Sequence, residues 1–132
     1  MSAPIKVAVS GATGRMGREV VKMVLADDQL QLTAAVGRRA GGDAGRLAGS
    51  EPCGVEVTDD LERVLRESGA DVLVDFTTPQ TAVRHTELAI QAKVRPVIGT
   101  TGFTPDDIAR LDKLCREYGI GGLIAPNFSI GA

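Results

Sequence analysis

The chain has 132 residues, the length of one domain, with 43% apolar residues, 3% aromatic residues and a formal net charge of −2. This composition predicts an aliphatic core, which is typical of a buried parallel sheet. The charge argues against a nucleic-acid or membrane-surface partner, and the longest apolar runs are too short to cross a bilayer. We expect a cytoplasmic protein without a metal site, because Lys6 interrupts any signal-peptide pattern and Cys53 and Cys115 have neither disulfide nor metal spacing.

Short aliphatic runs alternate with helical patterns in the first half of the chain. They predict strands at Ile5–Ser10, Leu30–Val36 and residues 55–57, and a helix at Arg15–Ala26. The buried face of that helix is predicted to hold Met16, Val20, Val21 and Val24. Residues 38–54 indicate a surface loop with one helical turn, and Thr58 is the expected N-cap of the next helix, through Leu61, Val64 and Leu65.

The second half continues the same alternation. It predicts strands at residues 71–76, Arg95–Ile98 and residues 122–125, and helices opened by Thr78-Pro79 and Thr104-Pro105. The inner faces of these helices are predicted to be Ala82, Thr86, Ala89 and Ile90 in one, and Ile108, Leu111, Cys115 and Tyr118 in the other. We therefore predict a Rossmann-like, doubly wound α/β fold of three layers, with a mainly parallel sheet in strand order 3-2-1-4-5-6.

A glycine-rich loop, Gly11-x-x-Gly14-x-x-Gly17, follows the first predicted strand. Gly11 permits a tight turn, Gly14 leaves the backbone open to a pyrophosphate, and Gly17 lets the helix pack close to the sheet. The helix N-terminus would offer free N–H groups and a partial positive charge to the phosphates. Glycine turns without a ligand are common, but the position between a strand and an amphipathic helix favours dinucleotide binding.

The end of the second predicted strand carries Gly37, where many NAD-binding domains have an acid, followed by Arg38 and Arg39. With no acid to repel a 2′-phosphate and with guanidinium groups to bind it, the sequence predicts a preference for NADPH, with NADH also accepted. The alternative is that both arginines are simply solvated. Asp43 is near enough in sequence to contact a ribose.

Three further segments follow predicted strands four, five and six, at residues 76–79, 99–103 and 125–129. Each combines hydroxyl or amide groups with Gly or Phe, which is typical of the surroundings of a nicotinamide ring. Thr78 and Thr104 have an alternative use as helix caps. Thr100 and Thr101, which lie between glycines, do not.

The segments GATGRMG, VDFTTP, VIGTTGF and APNFSIG, in this order, resemble the N-terminal cofactor-binding domain of the 4-hydroxy-tetrahydrodipicolinate reductases, also called dihydrodipicolinate reductases. The resemblance covers essentially the whole chain. It implies an oxidoreductase that uses NADPH or NADH to reduce a small dicarboxylate in the diaminopimelate route to lysine. The 2′-phosphate would meet Arg38, and Thr101 would also approach the substrate. The predicted cofactor contacts are Gly11, Ala12, Thr13, Gly14, Arg15, Met16, Gly37, Arg38, Phe76, Thr77, Gly99, Thr100, Thr101, Ala125, Pro126, Asn127 and Phe128.

The resemblance places the catalytic segment, a histidine pair and a KxDxPSGT-like stretch, beyond residue 132. We therefore expect residues 1–132 to form one NAD(P)-binding domain that lacks catalytic residues, with the substrate and tetramerisation domain absent. The fragment is expected to be inactive and monomeric, and the full-length protein a homotetramer. His85 is interpreted as a surface histidine far from the loop edge, and Cys115 as a core residue.

Two other functions fit parts of the sequence. A stand-alone dinucleotide-binding or redox-sensing module would need the glycine loop but not the GTTGF and APNFS segments. A semialdehyde dehydrogenase would need a catalytic cysteine at the edge of the sheet, where neither Cys53 nor Cys115 is predicted.

Overall fold

A six-stranded sheet in the order β3-β2-β1-β4-β5-β6 forms the centre of the protein. The computed structural model describes residues 3–99, 103–121 and 123–124. The strands are β1 Ile5–Ser10, β2 Leu30–Val36, β3 Val57–Thr58, β4 Val72–Asp75, β5 Arg95–Ile98 and β6 Leu123–Ile124. The helices are α1 Arg15–Ala26, α2 Ala44–Leu47, α3 Leu61–Glu67, α4 Pro79–Gln91 and α5 Pro105–Tyr118. All neighbouring strands pair in parallel, which confirms the predicted fold class and strand order.

Side chains of β1 alternate between two hydrophobic cores, one on each face of the sheet. Val7 and Val9 belong to the cluster that includes α1, and Ala8 belongs to the cluster that includes α3 and α4. Both faces are thus covered by helices, as a parallel sheet requires. The buried residues of both clusters are Val, Leu and Ala, as predicted, and Phe76 packs against the first cluster from a partly buried position. Full burial of each Val or Leu side chain contributes about 1.5–3 kcal/mol.

The buried face of α1 differs from the prediction at its first position. Val20, Val21 and Val24 are buried as expected, but Met16 is 54% exposed and Gly17 is buried in its place. The reason is helical periodicity: residue 17 lies three, four and seven residues before Val20, Val21 and Val24, at the centre of their face, whereas residue 16 lies five residues before Val21, at its edge. Met16 points instead to solvent beside the glycine loop.

The predicted stripe on α5 is only partly buried. Leu111 is 1% exposed, whereas Ile108 is 41% and Tyr118 38% exposed. Cys115 is partly buried, so its interpretation as a core residue is wrong; partial burial, with the Asp112 charge nearby, still raises the pKa of its thiol. On α4 the prediction is confirmed: Ala82, Thr86, Ala89 and Ile90 are all buried.

Two of the three predicted N-caps are confirmed. Thr78 caps α4 ahead of Pro79, and Thr104 caps α5 in a reciprocal pair with Asp107. The expected cap at Thr58 is wrong, because Thr58 ends β3 and its hydroxyl accepts from the Asp60 N–H at 3.2 Å. The carboxylate of Asp60 caps α3 instead, accepting from the Arg63 N–H at 3.1 Å. The third strand accordingly ends one residue later than predicted.

The loop before β3 contains one helical turn, α2, as predicted, and it is organised by Asp43. The Asp43 carboxylate accepts hydrogen bonds from the backbone N–H groups of Gly45, Arg46, Cys53 and Gly54, at 2.8–3.1 Å. These donors, Cys53 first, outweigh the opposing effect of desolvation and lower the pKa of Asp43 from 3.8 to about 2. The ionised Asp43 side chain thus connects the start of α2 to Cys53 and Gly54.

Asp43→Asn should destabilise the fold near neutral pH, because an amide offers one acceptor oxygen and turns its NH₂ group toward backbone donors. The folded pKa is lowered, so the carboxylate's contribution is complete above the ordinary value of 3.8 and is lost as the pH falls toward 2. Urea unfolding across this pH range should therefore show wild type and variant converging at the acidic end. Asp28→Asn, at an exposed position, is the control; an Asp43 variant as stable as this control would contradict the interpretation.

Candidate functional site

The glycine loop brings the N-terminus of α1 over the carboxyl end of β1. Gly11 has a φ of +81°, which favours glycine, and a Cβ atom there would lie 3.1 Å from the carbonyl oxygen of Phe76. A Cβ atom at Gly17 would overlap the Gly11 carbonyl group. Both glycines are therefore required by close backbone packing inside the protein, independently of any ligand.

Gly14 differs from these two glycines. Its φ of −79° suits any residue, and a Cβ atom there would contact only the Gly11 carbonyl oxygen, at an ordinary 3.5 Å. Gly14 is the N-cap of α1, and the first turn of that helix contains no acid. The missing side chain leaves space beside a helix N-terminus, which is where an anionic group of a ligand is favoured.

A cleft of about 650 Å³ opens beside this loop, a typical size for a cofactor site. Seven of the predicted cofactor residues line it, namely Gly11, Thr13, Gly14, Gly37, Arg38, Phe76 and Thr77. Four other predicted cofactor residues belong to the described part of the chain but do not line the cleft. Ala12 is buried and donates its N–H to the Val36 carbonyl oxygen at 3.0 Å, Arg15 and Met16 are exposed on α1, and Gly99 packs against the Phe76 ring.

The ends of β2 and β3 form one wall of the cleft. The Gly37 N–H donates to the Thr58 carbonyl oxygen at 2.9 Å, and a Cβ atom at Gly37 would lie 3.0 Å from the Thr13 hydroxyl oxygen. Gly37 therefore allows the glycine loop to approach β2. Arg38 is exposed and lines the cleft, whereas Arg39 is exposed and does not.

Two acids near this wall, Asp43 and Asp59, are placed differently from what the sequence predicted. Asp43 was expected to be available to a ribose, but its carboxylate is occupied by four backbone N–H groups of its own loop. Asp59, which the sequence analysis did not consider, lines the cleft together with Arg38. Among the described residues that line the cleft, the acid is therefore Asp59, in the segment after β3.

The end of β4 carries a buried polar network. Asp75 is 0% exposed, and its Oδ1 atom accepts from the backbone N–H of Thr77 at 2.9 Å and from the Thr77 hydroxyl at 2.6 Å. Its Oδ2 atom lies 2.7 Å from Nδ1 of His85, and the Ser10 hydroxyl oxygen lies 3.2 Å from the same nitrogen. The last residues of β1 and β4 are thus connected to the second turn of α4.

His85 is consequently not the surface histidine that the sequence analysis expected. Its side chain is 16% exposed and lines the cleft. A signal was present in the sequence: position 85 lies three residues after Ala82 and four before Ala89, both of which are on the buried face of α4. Six further lining residues were not among the predicted cofactor contacts, namely Ser10, Val36, Asp59, Leu61, Thr78 and Thr81.

Six of the predicted site residues lie outside the described part of the chain, namely Thr100, Thr101, Ala125, Pro126, Asn127 and Phe128. Within the described part, no group of three or more potential metal ligands occurs. No helix there has the length and apolar character needed to cross a membrane.

The parallel sheet, the glycine loop at a helix N-terminus and the cleft between the strand ends define a Rossmann-type dinucleotide-binding domain. The family described as "Dihydrodipicolinate reductase, N-terminus" matches residues 5–128. The chain belongs to this family.

Curated relatives agree with the family assignment. A 4-hydroxy-tetrahydrodipicolinate reductase of Geobacillus kaustophilus is 47% identical over 129 residues, which is 97% of this chain and 49% of that relative. The enzyme of the same name from Halalkalibacterium halodurans is 52% identical over 129 residues, with the same coverage. The dipicolinate-bound dihydrodipicolinate reductase of Paenisporosarcina sp. TG-14 superposes with a TM-score of 0.80 at 37% identity, covering 97% of this chain and 49% of that one. The chain spans about half the length of the relatives it matches.

Exchanging Gly14 and Gly17 separately for valine should separate ligand binding from folding. Gly14→Val should abolish dinucleotide binding, measured by calorimetric titration, while circular dichroism remains native, because the added side chain projects into the cleft. Gly17→Val should instead destabilise the fold by more than about 1–3 kcal/mol, since it must displace backbone rather than a flexible side chain. Dinucleotide affinity retained within about threefold in the folded Gly14 variant, or roughly 0.7 kcal/mol, would show that the loop is not the phosphate site.

Proposed function

We propose that this chain is the NAD(P)H-binding domain of a reductase that acts on 4-hydroxy-tetrahydrodipicolinate, a small cyclic dicarboxylate, in the diaminopimelate route to lysine. The observation that carries the proposal is the open position at Gly14, at the N-terminus of α1, beside a cleft that Arg38 also lines. The family and the names of the relatives supply the reaction. The Paenisporosarcina enzyme, bound to dipicolinate, indicates the substrate class.

The residues at the strand ends suit the separate parts of a nicotinamide dinucleotide. Gly11–Gly14 and the first turn of α1 would hold the pyrophosphate, since backbone N–H groups and the helix dipole favour an anion there. Gly37 and Arg38 would hold the adenosine side. When bound, the cofactor supplies a hydride. The nicotinamide end would be held by Gly99 and by the proposed contacts outside the described residues, Thr100, Thr101, Ala125, Pro126, Asn127 and Phe128, with Thr101 also meeting the substrate.

We assign catalysis, and substrate binding apart from the Thr101 contact, to segments other than these 132 residues. The described cleft contains one histidine, and its Nδ1 atom is hydrogen-bonded to the buried carboxylate of Asp75. Neither Cys53 nor Cys115 lines the cleft, which argues against a cysteine-dependent dehydrogenase. The complete enzyme is proposed to be a cytoplasmic homotetramer with a C-terminal substrate domain.

Reductase activity should require that C-terminal half. The chain alone should bind NADPH but not oxidise it with substrate, because loss of a general acid alone costs about 10²–10⁴-fold. Joining the chain to the C-terminal half of the Geobacillus kaustophilus reductase, which is 47% identical over the shared region, should restore turnover. Turnover by the chain alone at a rate near that of the chimera would refute the assignment. The same chimera carrying Gly14→Val is the matched inactive control.

Arg38 should make the domain prefer NADPH to NADH. A guanidinium can meet a 2′-phosphate with two charge-assisted hydrogen bonds, and Gly37 introduces no acid to repel it. Such a contact contributes about 1.5–3 kcal/mol when partly shielded, or roughly ten- to a hundredfold in affinity. Arg38→Ala should weaken NADPH binding by that factor and leave NADH binding nearly unchanged, as measured by the dissociation constants of both cofactors.

Arg39 and Asp59 provide the controls for this measurement. Arg39→Ala should have little effect, because Arg39 is exposed and does not line the cleft. Asp59→Asn should increase the preference for NADPH, because it removes the negative charge that shares the cleft with Arg38. If Arg38→Ala weakens NADPH and NADH binding equally, or if the wild type prefers NADH, the proposal that Arg38 binds the 2′-phosphate is wrong.

A further inference from the structure

We propose that His85 is a further cofactor-binding residue of this domain: its Nε2 atom hydrogen-bonds the adenosine half of the dinucleotide, and the buried Asp75 is the residue that positions it. The inference rests on the proposed cofactor site. It adds a contact that none of the predicted loops contributes, because His85 comes from the second turn of α4.

The hydrogen bonds of Asp75 determine the orientation of the His85 imidazole ring. An ionised carboxylate can only accept hydrogen bonds, and the two oxygens of Asp75 accept from the Thr77 N–H and hydroxyl and from Nδ1 of His85. Nδ1 therefore carries a proton and donates it to Asp75 at 2.7 Å, with the Ser10 hydroxyl oxygen 3.2 Å away. A hydrogen bond of this kind determines the tautomer and the ring orientation.

The other ring nitrogen, Nε2, remains available to a ligand. Nδ1 and Nε2 are separated by one ring carbon and point in different directions, and Nδ1 faces Asp75, which is 0% exposed at the end of β4. His85 nevertheless lines the cleft with a side chain that is 16% exposed. Nε2 is thus the atom that this residue presents to a ligand, as a hydrogen-bond acceptor when the ring is neutral.

The other residues of the cleft indicate which part of the ligand His85 meets. The cleft that contains His85 is lined by Val36 and Arg38, at the end of β2, and by Leu61, the first residue of α3; Phe76, Thr77 and Thr81 line it on the β4 side. The β2 side of β1 receives the adenosine half of a dinucleotide in doubly wound folds, and the cleft extends from that side to His85. Gly99, on the proposed nicotinamide side, is not among the described lining residues. The adenine amino group and the ribose hydroxyl of that half are the donors that a neutral Nε2 would accept from.

His85→Asn is the decisive variant, because the asparagine amide can still donate to Asp75 from near the Nδ1 position but has nothing at Nε2. We expect it to weaken NADPH and 2′,5′-ADP, which contains only the adenosine half, by the same factor of about three to ten. Arg84→Asn, exposed on the same helix, controls for the cost of asparagine in α4. Unchanged affinities, or weakening of NADPH without weakening of 2′,5′-ADP, would overturn the inference.

A measurement on the wild type avoids any dependence on how the variant folds. His85 is the only histidine in the sequence, so long-range ¹H–¹⁵N spectra of the untagged protein report its two ring nitrogens unambiguously. Titration with 2′,5′-ADP should shift the Nε2 resonance and leave Nδ1 nearly unchanged. Saturable binding of 2′,5′-ADP without an Nε2 shift would refute the role of His85 alone. Absence of binding of both NADPH and 2′,5′-ADP would refute the proposed cofactor site as well.

Discussion

The parallel pairing of β1 with β2 on one side and with β4 on the other is the constraint on which the rest of the structure depends. Because parallel strands end at the same edge, the pairing brings Ser10, Val36 and Asp75 together, although they are far apart in the sequence. The crossover connections then place α1 on one face and α3 and α4 on the other. The crevice between these helices, above the central strand, is where ligands bind in open parallel sheets.

The glycine loop shows how backbone packing and ligand space are assigned to different residues of one motif. Gly17 has no side chain because α1 would otherwise collide with the Gly11 carbonyl group, and Gly37 has none because Thr13 lies against it. Gly14 meets no such restriction from the protein. Its open position, beside the N–H groups of a helix N-terminus, is the structural feature that most directly supports an anionic ligand.

The buried hydrogen-bond network at the end of β4 is a second constraint on the structure. A carboxylate removed from water costs several kcal/mol unless it is hydrogen-bonded, and Asp75 meets this requirement through Thr77 and His85. The same bonds join β4 to α4 and hold an imidazole at the floor of the cleft. His85, which hydrogen-bonds the buried Asp75, is thereby also held in one orientation. A fixed orientation is the condition for a well-defined contact with a ligand.

The amino-acid sequence by itself determined the elements and their order. Strands such as Ile5–Ser10 and caps such as Thr78 and Thr104 depend on local periodicity and on hydrogen bonds within a few residues, so they could be read directly. The glycine spacing, and Arg38 after Gly37, could also be recognised from a few neighbouring residues, and the four quoted segments identified the family. The tertiary structure alone decided which side chains share the cleft. Position 85 falls on the buried side of a helix in the sequence pattern, but its contact with Asp75 exists only because β1, β4 and α4 pack together, and no local rule specifies that a histidine there meets a carboxylate rather than solvent.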